Sequence, residues 1–142
     1  MQKINIVEVA PRDGLQNETI TVPTEVKGQF VDALSDTGVS EIEVSAFVSP
    51  KWVPQLGDAE DLFQRIIRKG GVIYSALVPN EKGLDRAIQS GVDKVSVFTA
   101  VSETFNRKNI NTSVEGSIRR FKPLVQRAVN VGLPVRGYVS TA

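Results

Sequence analysis

The chain has 142 residues, 41% apolar and 23% charged, a composition that fits one soluble globular unit with a real core and excludes a disordered or fibrous segment. Its 17 basic and 16 acidic side chains leave a net charge of +1, so no broad positive field of the kind that grips nucleic acid is present. Neither cysteine nor histidine occurs, which excludes disulfides and thiol nucleophiles and passes histidine's usual proton-transfer and metal-binding roles to carboxylates or to groups outside these residues.

Met1 is followed almost at once by a strand-like run, Ile4 to Val9, with no space for a signal or transit peptide. No apolar stretch is long enough to span a membrane, so the expectation is a cytoplasmic protein without membrane contact. A long segment, Ala10 to Pro23, then leads to a predicted helix over Thr24 to Asp36, with Val26, Phe30, Val31 and Leu34 on one face and Gly38 as its stop. Strand two is Glu41 to Ser45, followed by a second long connection, Phe47 to Gly57. The next helix, Asp58 to Lys69, carries Leu62, Phe63, Ile66 and Ile67 and ends at Gly70 and Gly71. Strand three is Val72 to Leu77, a short helix covers Asn80 to Ser90, and strand four is Lys94 to Phe98. The last helix, Ser113 to Val131, opens on Thr112 and Glu115 at capping-box spacing, should be kinked by Pro123, and is expected to bury Val114, Ile118, Phe121, Val125 and Val129. Strand five is Val135 to Val139.

Five β-branched strands alternating with four amphipathic helices are the pattern of βα units around a parallel sheet, an α/β fold. No repeat, low-complexity tract or linker divides it. A closed (β/α)8 barrel takes about 250 residues, so residues 1–142 are expected to be part of such a domain, truncated after strand five. Both long connections follow carboxyl ends of strands, the edge at which parallel α/β folds bind ligands.

Strand two is anomalous. A period of two puts Glu41, Glu43 and Ser45 on one side and Ile42 and Val44 on the other, and strand five likewise sets Arg136 and Tyr138 apart from Val135, Gly137 and Val139. An inward carboxylate at Glu43 needs a cation or donors, and Arg12 and Arg136 are candidate partners; an interior ion pair that fixes register explains the pattern as well as a functional site does. Glu8, near the end of strand one, is a similar case.

Strand one runs into Pro11-Arg12-Asp13-Gly14-Leu15-Gln16. Asp13 offers hard oxygen suited to Mg²⁺ or Mn²⁺, and Arg12 is a fixed cation able to hydrogen-bond a developing enolate oxygen. A plain turn, with Asp as cap and Gly14 at positive φ, explains the same residues. The wider context adds a resemblance. Val7 to Glu18 (Val-Glu-Val-Ala-Pro-Arg-Asp-Gly-Leu-Gln-Asn-Glu) closely resembles the opening of the 3-hydroxy-3-methylglutaryl-CoA (HMG-CoA) lyases of the DRE-TIM metallolyase superfamily. The likeness continues through Phe47-Val-Ser-Pro-Lys-Trp-Val-Pro-Gln-Leu-Gly-Asp58, Pro79-Asn-Glu-Lys-Gly83, Ser102-Glu103, Lys108-Asn-Ile-Asn111 and Val135-Arg-Gly-Tyr-Val-Ser140, essentially the whole chain.

The resemblance implies the N-terminal portion of a (β/α)8 TIM barrel, and a lyase that uses a divalent cation, Mg²⁺ or Mn²⁺, to cleave an acyl-CoA thioester to acetyl-CoA and acetoacetate. Asp13 matches the family's first metal ligand, Arg12 the arginine on the thioester oxygen, and Glu43 an acidic residue that orients this arginine. Tyr138 matches a substrate-site position; Gln16 either reaches the substrate or satisfies loop backbone. The family's His-x-His pair, an asparagine and a catalytic cysteine fall beyond Ala142, so activity of these residues alone is not expected. Trp52 either covers the site or anchors its loop. Arg107, Lys108, Asn106, Asn109 and Asn111 either meet CoA phosphates or a carboxylate, or form a solvated loop. Leucine breakdown and ketone-body formation are the pathways implied, and a homo-oligomer, or association through the open barrel edges, is the expected assembly. A Claisen-type acyltransferase of the isopropylmalate or homocitrate synthase kind, and a non-catalytic half-barrel that pairs with itself, are the other readings.

Overall fold

The computed structural model describes residues 4–140. Five parallel strands, β1 (Val7–Glu8), β2 (Glu41–Ala46), β3 (Ile73–Leu77), β4 (Lys94–Ala100) and β5 (Val135–Ser140), lie in sequence order, each beside its predecessor. Between them run α1 (Thr24–Ser35), α2 (Ala59–Arg65), α3 (Glu81–Gln89), α4 (Glu103–Ile110) and α5 (Val114–Asn130). Parallel crossovers take one hand, so adding every strand on the same side keeps the crossover helices on one face and curls the sheet into half of a (β/α)8 barrel.

The convex face meets the helices. Ile42, Val44, Tyr74, Ala76, Val95 and Val97 from the strands close on Val31, Leu62, Phe63, Leu84, Phe121 and Leu124 from the helices. Each fully buried Leu or Val in this layer contributes on the order of 1.5–3 kcal/mol over leaving it in water. Alternation puts Glu41, Glu43, Ser75, Lys94, Ser96, Arg136 and Tyr138 on the opposite, concave face. Between Glu43 and Ser45 the register with β3 slips by one residue, a bulge that turns Ser45 out of the inward series.

Strand one is shorter than its run of β-branched residues predicts. Strand β2 begins at Glu41, opposite Val7, so residues before Val7 have no ladder to join; Ile4 is 85% and Ile6 62% exposed. Helix α2 stops at Arg65 rather than Lys69. Ile66 is extended (ψ 142°), and the next donors are satisfied elsewhere, Ile67 N–H by Asp32 Oδ1 (2.7 Å) and Lys69 N–H by Tyr74 Oη (2.9 Å).

Among the described residues the α-helices number five rather than four. Residues 103–110, expected as a polar loop, form α4, with Ser102 Oγ accepting from Phe105 N–H (3.2 Å) at its start and Asn111 in the left-handed region (φ 50°) at its end. On α5 the buried face is Ser117, Phe121, Leu124 and Ala128, leaving Ile118 60% and Val129 56% exposed. Small residues face the sheet there, and Ser117 Oγ meets Thr99 Oγ1 at 2.6 Å, so apolar periodicity found Phe121 and Val125 but missed Ser117 and Ala128. The cap is also different. Ser113 Oγ accepts from Gly116 N–H (2.9 Å), Glu103 Oε1 accepts from Val114 N–H (3.1 Å), and Glu115 pairs with Arg119 at 3.3 Å instead of closing a box. The helix runs unbroken through Pro123.

Two details place the site loops. Gly83, in the first turn of α3, lies where any Cβ would come within 2.8 Å of the Phe47 carbonyl oxygen, so only glycine lets α3 approach the end of β2. Gln55 and Lys27 tie the connections after β1 and β2 together. Gln55 accepts from Val22 N–H (2.9 Å) and donates to the Ile20 carbonyl (2.9 Å), while the buried Lys27 ammonium meets Asp58 (2.9 Å) and the Gln55 carbonyl.

Candidate active site

Immediately after β1, residues Ala10–Gly14 make one π-helical turn, closed by Leu15 N–H on the Ala10 carbonyl, with Asp13 N–H on the Val9 carbonyl at 2.7 Å. Glu8 Oε1 caps it by accepting from Ala10 N–H (2.8 Å), which gives this acid a structural role. The left-handed glycines are Gly38, Gly71, Gly91 and Gly132; Gly14 is not among them, so the plain-turn account of Asp13-Gly14 does not hold. The turn aims Arg12 across the concave face.

Glu43 receives it. Arg12 Nε donates to Glu43 Oε1 at 2.6 Å, and Glu43 Oε2 accepts from Ser96 Oγ (2.7 Å) and Tyr138 Oη (2.9 Å). The Glu43 side chain is 0% exposed, and an isolated carboxylate there would be prohibitively costly; one guanidinium and two hydroxyls satisfy both of its oxygens. Of the five N–H donors on Arg12, Nε is committed to Glu43 and one on Nη1 to Asp13 Oδ1 (2.6 Å). The remaining three have no acceptor among the described residues. A cation held by a buried carboxylate, with donors to spare, suits an oxygen that gains negative charge.

Asp13 is largely exposed, and its Oδ2 has no partner among the described residues. One free hard oxygen fits one place in the shell of a Mg²⁺ or Mn²⁺ ion. Among the described residues no three His, Cys, Asp or Glu side chains gather as a metal cage, so further ligands would have to come from outside them.

A second ion cluster sits beside the first. Arg136 meets Glu41 in a bidentate pair (2.6 and 2.8 Å), and Lys94 Nζ meets Glu41 Oε2 at 2.6 Å. Arg136 as the other candidate partner of Glu43 is therefore corrected: Glu41 takes it. Burial alone would raise the Glu41 carboxyl, but the hydrogen bonds from Arg136 and Lys94 outweigh it and hold the group below its ordinary value. Tyr138 lies between the clusters, its ring centroid 5.9 Å from both guanidinium carbons. Burial, and next the charge of Glu43, push its phenol above the usual value, so it remains a donor. Lys94 and Ser96 were not singled out from sequence, although the alternation Lys94-Val95-Ser96-Val97 carries the same two-sided signal as β2.

The other candidates separate. Gln16 is exposed and lines an open groove with Thr19, Trp52 and Gln55; it makes no backbone bond among the described residues, and that work falls to Gln55. Trp52 is 86% exposed and anchors nothing. Asn106 is 0% exposed, bound to both the N–H and carbonyl of Ala100 and to Thr99 Oγ1, which removes it from ligand contact. Arg107, Lys108 and Asn109 are exposed on α4.

Five parallel strands wound in sequence order, with a guanidinium just past β1 held by a carboxylate within β2, place the chain in the (β/α)8 class of fold. The comparisons narrow this. The HMGL-like family model matches residues 3–142, and the chain belongs to that family. It is 50% identical over 139 residues to the cytoplasmic HMG-CoA lyase of Rattus norvegicus, covering 98% of this chain and 40% of that protein. The mitochondrial enzyme of Gallus gallus is likewise 50% identical over 139 residues, with 47% of its length covered. The crystal structure of the Brucella melitensis HMG-CoA lyase superposes with a TM-score of 0.96 at 47% identity, over 98% of this chain and 49% of that one. The chain thus spans less than half the length of these relatives. No helix among the described residues is long and apolar enough to cross a membrane.

Proposed function

We propose that the protein carrying these residues is a divalent-metal-dependent lyase that cleaves HMG-CoA to acetyl-CoA and acetoacetate, with residues 1–142 as the first part of its TIM-barrel catalytic domain. The observation that supports this most directly is Arg12, clamped by the buried Glu43 and left with three uncommitted donors. In the cleavage, the tertiary alcohol gives up its proton and its oxygen becomes the ketone of acetoacetate. The electron pair of the broken carbon–carbon bond passes to the thioester as an enolate, which then takes a proton to become acetyl-CoA. Arg12 donates to the enolate oxygen as its charge grows, an interaction stronger in the transition state than in the substrate. Glu43 positions Arg12, and Tyr138 and Gln16 contact substrate. Asp13 supplies one ligand to Mg²⁺ or Mn²⁺, which when bound eases negative charge on substrate oxygen. Proton transfers and the other metal ligands belong to residues outside these. A cytoplasmic home, a role in leucine breakdown or ketone-body formation, and a homo-oligomer go with this reading.

The test uses the full-length protein. Acetyl-CoA release from HMG-CoA should vanish on chelation and return with Mg²⁺ or Mn²⁺. Cleavage that survives chelation, or condensation of acetyl-CoA with a 2-oxo acid in place of cleavage, would overturn the proposal.

A further inference from the structure

Two arginines and two glutamates share the concave face, and their pairing is not fixed by charge alone. Glu41 and Glu43 stand two residues apart on one side of β2, and Arg12 and Arg136 flank one tyrosine ring, each 5.9 Å from its centroid. An exchanged pairing, Arg136 on Glu43, would satisfy the same charges.

We propose that Glu41 is a positioning residue: it claims Arg136 and thereby reserves Glu43 for Arg12. Its bearing on catalysis rests on the lyase reading above. Three observations carry it. First, Glu41 offers Arg136 both oxygens, the planar fork that a guanidinium fits best. Second, Glu43 holds Arg12 through a single bond, Nε to Oε1, while Ser96 and Tyr138 fill Oε2, so Arg12 has no fork with which to resist a competing cation. Third, Glu41 carries a second cation, Lys94, so the cluster of Glu41, Lys94 and Arg136 is one positive charge in excess. Removing the Glu41 charge would leave two cations on this face, and the next carboxylate along β2 is Glu43. Arg136 would then compete with Arg12 for it and disturb the aim of Arg12. Glu41 touches no part of the proposed substrate site and acts only through this partition.

The experiment reads the hydrogen bond itself, in the 142-residue chain. The Arg12 Nε–H resonance is assigned by its loss in Arg12→Lys, and its exchange with solvent is measured by NMR. Glu41→Gln should speed this exchange at least about tenfold, whereas Glu41→Gln/Arg136→Met and Arg136→Met alone should both stay within about twofold of the parent. A prop that merely stabilises the fold would not be rescued by deleting a second residue. An unchanged Arg12 signal in Glu41→Gln, or a signal that the double variant fails to restore, overturns the proposal. If Glu41→Gln does not fold, the double variant decides: folding with the Arg12 signal intact supports the partition, and failure to fold overturns it. None of these readings depends on turnover, so loss of the lyase reading and loss of this one are distinguishable.

Discussion

On the convex face of the sheet, Ile42, Val44, Ala76, Val95 and Val97 pack against helices through contacts that have no direction; on the concave face, Glu41, Glu43, Lys94, Ser96, Arg136 and Tyr138 meet through bonds that have little else. The same strands serve both. Apolar packing tolerates exchange of similar shapes and is measured in stability, whereas the polar face tolerates little change in geometry and is measured in chemistry. The difference teaches that strand alternation here separates folding from function residue by residue.

That contrast can be broken in order of expected effect. Arg12→Gln in the full-length protein should lower turnover by about 10³-fold, equivalent to about 4 kcal/mol, while costing only about 1–3 kcal/mol of stability, because Glu43 keeps its bonds from Ser96 and Tyr138. Steady-state kinetics beside urea denaturation would check it; equal losses in both would erase the distinction between the faces. Leu84→Ala, at a fully buried convex position, should cost about 3 kcal/mol of unfolding free energy. A loss below about 1 kcal/mol would mean that the helix layer is not close-packed.

Smaller again is the acid dependence of Glu41. Its carboxyl binds a proton less readily folded than unfolded, so its contribution to stability is complete above the unfolded value near 4.5 and drains away as pH falls through the lower, folded value. The stability gap between the parent and Glu41→Gln, measured by denaturant titration, should therefore be widest near neutrality and close in acid. A gap that widens on acidification would reverse the sign of the assignment. Trp52→Ala should change stability by less than about 0.5 kcal/mol, since the ring is 86% exposed; a larger loss by thermal melt would place the ring in the core after all.

Much of this was readable from the chain. The two-residue period of Glu41, Glu43, Arg136 and Tyr138 announced a charged inner face and left Arg12 and Arg136 as candidate partners for Glu43, of which the structure pairs Arg12 with it. What escaped reading has particular causes. Helix α4 hid behind its polar composition, although Ser102 and Asn111 stood ready as its caps. The buried stripe of α5 was misplaced in part, with Phe121 and Val125 foreseen but Ser117 and Ala128 missed, because these small residues, able to approach the sheet closely, give no strong hydrophobic signal. Arg136 found Glu41 rather than Glu43 because Glu41 offered it both oxygens, whereas Ser96 and Tyr138, from two other strands, had filled one of those on Glu43. Such a choice depends on three strands at once, and no local window contains it.

The bonds of Gln55, Lys27 and Asp58 have a consequence for motion. They join the connections after β1 and β2 at Ile20, Val22 and Gln55, so the bases of the two segments that carry Gln16 and Trp52 are tied to each other. Whatever arrives at Arg12 meets bases that were already tied when the chain folded, and the entropy of ordering them is lost in folding instead of in binding.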